Sequence, residues 1–219
     1  MRWEVVTDRL PVLLQGALMT LELTILAVAI GTIIGLFASL LRLSKIKPLK
    51  LLSIVYIDFF RGTPLLAQIY IIYFGLPQLL GYTPNTWTAG IVALSLNSGA
   101  YIAEIFRSGI QSIDTGQMEA SRSLGMSYAQ SMQSVILPQA FKRIVPPLGN
   151  EFIAMLKDSS LVSVISLQEL MLTGRSIVGA TYRSFEVYIT VAFFYLVMTF
   201  SISRLVSYLE RRLKTGDSH

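Results

Sequence analysis

The feature that most constrains this chain is the segment from Leu23 to Leu41, which contains no charged residue and no proline. A helix needs about 20 apolar residues to cross the hydrocarbon layer of a bilayer, so this segment predicts a transmembrane helix. The whole chain agrees with that reading, because 53% of its 219 residues are hydrophobic and only 14% are charged. A soluble domain of this size carries more charge. The predicted solvent is therefore the bilayer.

Two features limit the chemistry of the chain. It contains no cysteine, so disulfides, thiolate metal sites and catalytic thiols are excluded, and its one histidine is His219 at the end. No catalytic residue, metal ligand set or cofactor of its own is predicted. The net charge of +5 comes from basic residues between the apolar stretches, a distribution typical of membrane topology rather than of a nucleic-acid-binding face.

Four further spans can be placed along the chain. Residues 63–103 are uncharged, too long for one helix and interrupted by a turn-rich segment around Gly81 and Pro84, so they predict two spans. Residues 140–172 are apolar with interspersed charges and predict a fourth span, and residues 187–209 predict a fifth. We therefore expect an all-α integral membrane protein with about five transmembrane helices in a single domain, residues 1–219.

The orientation follows from the basic residues, because cytoplasmic loops retain lysine and arginine. They cluster after the first span and at the C-terminus: Arg42, Lys45, Lys47, Lys50, Arg204, Arg211, Arg212 and Lys214. The turn from Gly81 to Thr86 has no charge. This pattern predicts an external N-terminus and a cytoplasmic C-terminus.

Small residues recur every four positions in the first span, at Ala27, Gly31, Gly35 and Ser39. Such a stripe lets a second helix approach closely. We interpret it as a packing face inside the bundle, with a seam between two copies of the chain as the alternative.

The segment of residues 112–138 is polar and predicts a tight helix-turn-helix on the cytoplasmic side. Asp114 with Gln117 indicates one helix start, Gly125 can end that helix with a positive φ, and Ser127 with Gln130 indicates a second start. The elbow between the two helices carries two apolar side chains, Leu124 and Met126. They suit insertion into a groove on another protein, although packing beneath the bundle is an equal alternative.

This segment resembles the EAA loop of ABC importer permeases, with the pattern EAA-x3-G-x9-I-x-L-P. The matching residues are Glu119, Ala120, Ser121, Gly125, Leu137 and Pro138, where Ser121 replaces the second alanine and Val135 replaces the isoleucine. RGTPLLAQ at 61–68, NSGAYIAEIFRSGI at 97–110 and GNEFIAMLKDSSL at 149–161 resemble the polar amino acid permease family. The similarity covers nearly the whole chain, in order.

The resemblance implies a type I importer of the bacterial cytoplasmic (inner) membrane, which translocates polar amino acids, basic ones among them, by alternating access. Its expected partners are a second permease subunit, identical or paralogous, two cytoplasmic ATP-binding subunits and an external amino-acid-binding protein. No G-x-x-x-x-G-K-[ST] loop occurs in the chain. ATP and Mg are therefore expected on the partner subunits, and this chain is expected to be a translocation subunit rather than an enzyme.

Candidate substrate residues lie on two predicted helix faces. Asn97, Tyr101 and Glu104 share one face of the third span, and Glu151 and Asp158 share a face of the fourth. If the faces meet, they form a polar cavity suited to an ammonium group or a cationic side chain. Structural ion pairs, Glu104 with Arg107 or Glu151 with Lys157, are equally compatible with the sequence.

An ion-coupled secondary transporter is the alternative function, since membrane carboxylates also relay protons or bind sodium. Five spans, the lack of a visible inverted repeat and the EAA-like loop argue against it. A membrane enzyme has no nucleophile motif here.

Overall fold

The structure, a computed structural model, describes residues 3–214, and over that range the chain forms helices and turns with no strand. The all-α prediction is confirmed, while His219 lies outside the described residues. The helices are α1 (Glu4–Thr7), α2 (Leu10–Leu43), α3 (Lys47–Gly62), α4 (Leu65–Tyr70), α5 (Leu76–Leu80), α6 (Thr86–Gln111), α7 (Thr115–Ser123), α8 (Tyr128–Ser131), α9 (Leu137–Asp158), α10 (Leu170–Thr181) and α11 (Ser184–Lys214). A 3₁₀ segment, Ser159–Ile165, follows α9.

Three helices, α2, α6 and α11, are each long and apolar enough to cross a membrane. Two bent pairs are long and apolar enough to form one further span each: α3 meets the helix Leu65–Leu80, which begins with α4, at 109°, and the helix that ends at Ile165 meets α10 at 50°. Counting each pair once gives the five spans expected from the sequence. The direction of the chain through the bilayer stays a prediction.

The helices extend beyond the predicted apolar limits. The helix of the first span begins at Leu10 and has 34 residues, because a single charged residue, Glu22, does not interrupt it. Helix α3 was not predicted from the sequence, because its charged residues Asp58 and Arg61 interrupt the apolar run that indicates a span. It forms the first half of the second span.

The small-residue stripe of α2 packs inside the bundle, against α6. A Cβ added at Gly31 would lie 3.1 Å from the backbone nitrogen of Gly99, and one added at Gly35 would lie 2.9 Å from the Gly99 carbonyl oxygen. Ala27 and Ser39 are buried as well. The predicted packing face is therefore confirmed.

Two π-helical turns, Ile71–Gly75 and Met132–Ile136, each lead directly into a Leu-Pro pair. In the second, the N–H of Leu137 donates to the carbonyl of Met132, five residues earlier. Proline cannot donate and its ring crowds the preceding turn, so a locally wider turn keeps the helix continuous. The chain thus passes Pro77 and Pro138 without a break.

Glu169 is a fully buried carboxylate that begins α10 and ties three helices together. It accepts hydrogen bonds from the N–H groups of Met171 (2.8 Å) and Leu172 (2.6 Å) and from the Tyr195 hydroxyl (3.0 Å). The Thr20 hydroxyl of α2 lies 3.5 Å away. A buried charge is tolerated when it is hydrogen-bonded in this way, so the cluster fixes α10 against α2 and α11.

Candidate substrate cavity and coupling elbow

A cavity of about 410 Å³ lies where α6, α9 and the break between α3 and α4 meet. Its polar lining includes four of the predicted substrate residues: Asn97, Tyr101, Glu151 and Asp158. The break contributes Thr63, Pro64 and Leu65. The sequence analysis left open whether the two helix faces meet. In the structure they do meet, and they line a space large enough for an amino acid.

Two of the lining side chains are held from outside the cavity. The Glu151 carboxylate accepts a hydrogen bond of 3.0 Å from the Ser98 hydroxyl of α6. The guanidinium of Arg61 lies over the Tyr101 ring, 5.4 Å from its centroid, a cation–π distance that holds the phenol at the cavity wall. Neither Ser98 nor Arg61 was proposed as a site residue from the sequence.

Asn97 is almost completely buried and belongs to an amide network at the helix break. Its Nδ2 donates to Gln68 Oε1 (2.9 Å) and lies 3.3 Å from the Phe60 carbonyl. Gln68 Nε2 in turn donates to the carbonyls of Phe60 (2.9 Å) and Thr63 (3.1 Å). Sequence analysis missed Gln68, because a single glutamine in an apolar run gives no periodic signal.

Glu104 lies apart from the cavity lining, in an ion pair. It accepts from Arg107 Nε at 2.9 Å and faces Arg42 Nη1 at 3.5 Å. The structural ion pair considered for Glu104 is thus present, with Arg42 of α2 as an additional partner. Within residues 3–214 no ion pair joins Glu151 to Lys157. Lys157 instead lines a separate cavity of about 530 Å³ beside α11.

The cavity can accept hydrogen bonds and positive charge. Carboxylates at Glu151 and Asp158 have no cation within ion-pair distance among the described residues. Carboxylates in a membrane-embedded cavity favour a cationic guest, because the guest offsets their desolvation. Whether these side chains bind substrate stays a prediction.

The helix-turn-helix forms as predicted, with one difference in its first cap. Asp114 begins α7 by accepting from the N–H of Gly116 at 2.7 Å, whereas Gln117 accepts from Gln139 of α9 at 3.4 Å. Gly125 ends α7 with φ +87°, and the predicted capping box of Ser127 and Gln130 is complete. Local cap chemistry therefore sets the elbow geometry.

The elbow exposes one apolar side chain and partly covers the other. Leu124 is 85% exposed, while Met126 is only partly exposed. Within the matched pattern Ser121 is buried, and Glu119, Ala120, Leu137 and Pro138 are exposed. The segment packs against the bundle through Ile113, Met118 and Ile136, whereas Leu124 is exposed, and insertion of the elbow into a partner stays a prediction.

Residues 27–215 match the family described as the inner membrane component of binding-protein-dependent transport systems. The chain belongs to this family. Membership confirms the resemblance to ABC importer permeases and makes the chain a multi-pass membrane protein. It gives no support to a secondary transporter.

Relatives within the family transport amino acids. The chain is 41% identical to the arginine transport system permease protein ArtQ of Bacillus subtilis (strain 168), covering 95% of each sequence, and 40% identical to the glutamine transport system permease protein GlnP of Escherichia coli (strain K12), covering 97% of each. A solved crystal structure of an amino acid ABC transporter with histidines superposes with a TM-score of 0.94 at 50% identity, over 97% of this chain and 99% of that one. The fold is therefore that of a type I ABC importer permease.

Proposed function

We propose that this chain is the permease subunit of an ATP-driven importer for polar amino acids, and that it passes basic amino acids through the cavity at Asn97, Tyr101, Glu151 and Asp158. The observation that carries the proposal is the pair of carboxylates, Glu151 and Asp158, lining one cavity with no basic side chain within ion-pair distance among the described residues. A cationic substrate would place a positive group in direct contact with these carboxylates each time it occupies the site. Alternating access would expose the cavity to one side of the membrane at a time.

The names of the relatives leave the substrate open between basic amino acids and glutamine, since the arginine and glutamine permeases are about equally similar to this chain. The negative charge of the cavity favours the basic amino acids. An α-ammonium needs one counter-charge, whereas arginine, lysine or protonated histidine brings a second positive group that a second carboxylate can receive.

Partners supply the energy and the first recognition step in this proposal. Two cytoplasmic ATP-binding subunits hold ATP and Mg and receive Leu124 in a groove, a second permease subunit completes the membrane unit, and an external binding protein delivers the amino acid. The exposed elbow, the membership of a binding-protein-dependent family and the bacterial relatives support this assembly in the inner membrane.

Uptake by a complex reconstituted with saturating binding protein tests the proposal, using Glu151→Gln scored with arginine, lysine, histidine and glutamine. Glutamine at 151 keeps the size and can keep the contact with Ser98 while it removes the charge. The loss should be about 10-fold or more for arginine and much smaller for glutamine, as expected for one charge-assisted hydrogen bond.

Glu104→Gln is the matched comparison, because Glu104 is paired with Arg107 and Arg42 rather than lining the cavity. Any loss in that variant should be the same for all four amino acids. A uniform loss in Glu151→Gln as well would remove the charge-selective role from the cavity, and unchanged uptake in that variant would remove Glu151 from the pathway.

A further inference from the structure

The break between α3 and α4 leaves a backbone carbonyl that the helix cannot satisfy. In a continuous helix the carbonyl of Phe60 would accept from residue 64, but that residue is Pro64, which has no N–H. The helix therefore supplies no donor to this carbonyl at the break. Side chains provide donors in its place.

Gln68 fills that need, and its surroundings leave it one orientation. Its Nε2 lies 2.9 Å from the Phe60 carbonyl, 3.1 Å from the Thr63 carbonyl and 2.9 Å from Thr63 Oγ1. Thr63 Oγ1 already donates its own hydrogen to the Phe59 carbonyl at 2.8 Å, so toward Gln68 it can only accept. Rotating the amide by half a turn would bring Oε1 against three acceptors.

The orientation of Gln68 is passed on to Asn97. Because Gln68 Oε1 points to α6, the group opposite it, 2.9 Å away, must be the donor Nδ2 of Asn97, and the second hydrogen of Nδ2 faces the Phe60 carbonyl. Both hydrogens of Asn97 Nδ2 are therefore used in hydrogen bonds to groups at the helix break. The carbonyl oxygen Oδ1 is the part of the amide left for the cavity that Asn97 lines.

We infer that Gln68 is a positioning residue that fixes the polarity of the Asn97 amide, so that the cavity presents Asn97 as an acceptor only and selects substrates with N–H donors on the α-nitrogen. The inference rests on the proposed function, since it assumes that an amino acid occupies this cavity. It extends that function to the α-nitrogen of the substrate: the cavity should bind a primary ammonium more tightly than an alkylated ammonium of the same charge.

Equilibrium binding to the purified complex of permease and ATP-binding subunits, without the external binding protein, tests the inference. The probes are arginine and Nα-trimethylarginine, which carries the same charge but has no N–H on the α-nitrogen. The wild-type complex should bind arginine at least about 10-fold more tightly, the value of one hydrogen bond to a charged group. In Gln68→Leu, Asn97 loses its 2.9 Å contact with Gln68 and keeps only the longer one, 3.3 Å, to the Phe60 carbonyl, so its amide is less firmly oriented and the ratio should fall several-fold.

The ratio of the two dissociation constants, for arginine and for Nα-trimethylarginine, distinguishes a positioning role of Gln68 from a steric effect of the methyl groups and from a loss of protein stability. A preference caused by the bulk of the methyl groups would persist in Gln68→Leu, and a structural defect would weaken both probes equally; either result overturns the inference. Gln78→Leu changes an exposed glutamine that follows the same break and should leave the ratio unchanged.

The wild-type protein decides the question even if Gln68→Leu does not fold. Equal binding of the two probes overturns the inference while leaving the proposed function intact. Binding of neither arginine nor any of lysine, histidine and glutamine would overturn the proposed function, and the inference with it.

Discussion

Gly35 shows at the scale of a single residue how closely two membrane spans approach. Its Cα faces α6 so tightly that an added Cβ would lie 2.8 Å from Ile102 Cγ2 and 2.9 Å from the backbone nitrogen of Ala103. Real Cβ atoms do not approach backbone at that distance. Contact between α2 and α6 in the bilayer therefore depends on the absence of a side chain, because dispersion between closely packed backbones drives association there.

Replacing Gly35 by alanine should destabilise the permease by about 1–3 kcal/mol, since one methyl group must push two spans apart. The measurement is the midpoint of thermal aggregation in detergent. Gly179→Ala is the matched control, because nothing lies within 4 Å of a Cβ added at that helical glycine. Equal midpoints for both variants would show that α2 and α6 tolerate a wider separation than their packing indicates.

At the scale of an element, the elbow depends on one backbone conformation. Gly125 has φ +87° and joins α7 to α8, and an added Cβ would meet no atom within 4 Å. Substitution there acts through backbone strain alone. A β-branched residue should shift the elbow and Leu124 with it.

Gly125→Val is expected to cost about 1–2 kcal/mol at the elbow and to weaken association with the ATP-binding subunits, while insertion into the membrane persists. Co-purification of the ATP-binding subunits with a tagged permease measures the effect. Gly125→Asn should retain most of the association, because asparagine tolerates the left-handed region. Normal assembly and transport in the valine variant would exclude the elbow from coupling.

Elements whose signals are local could be predicted from the sequence. The helix end at Gly125 and the Ser127–Gln130 box each depend on residues only a few positions apart, so one segment contains the whole interaction. The pair of Glu104 with Arg107 is equally local, and the sequence analysis gave it as one of two alternatives. The two faces of the cavity could also be predicted, because side chains spaced four and seven residues apart on a helix share a face wherever the helix packs.

Interactions between distant segments could not be predicted in the same way. The contact of Arg42 with Glu104 joins α2 to α6, and the pair of Gln68 with Asn97 depends on a break of 109° that no pattern in the sequence measures. Asn97 was predicted from its face alone, and the commitment of its donor hydrogens to the break became visible only in the structure. Helix α3 was missed for a related reason, since apolar content does not distinguish half of a broken span from a loop.

At the scale of the whole molecule, the chain exposes a large apolar surface. Only 6% of the most apolar stretch of α11 is buried within the chain, and Phe193 and Leu196 of that helix are each 61% exposed. Such surface is stable only in hydrocarbon or against a partner. The basic residues at one end of the spans then decide which side of the membrane carries the elbow.

Single cysteines can test that orientation without background, because the chain contains none. Thr83 lies in the uncharged turn between α5 and α6 and precedes the Asn85 cap, so Thr83→Cys should leave α6 intact. Ser44 lies between Arg42 and Lys45, in the turn that connects α2 to α3. In intact spheroplasts, an impermeant maleimide should label Thr83→Cys and leave Ser44→Cys unlabelled, because the basic cluster is retained on the cytoplasmic side. Permeabilised membranes should label both variants, which shows that the thiol at 44 is accessible. Labelling of Ser44→Cys alone in intact cells would reverse the topology and would put the elbow on the side of the membrane that has no ATP.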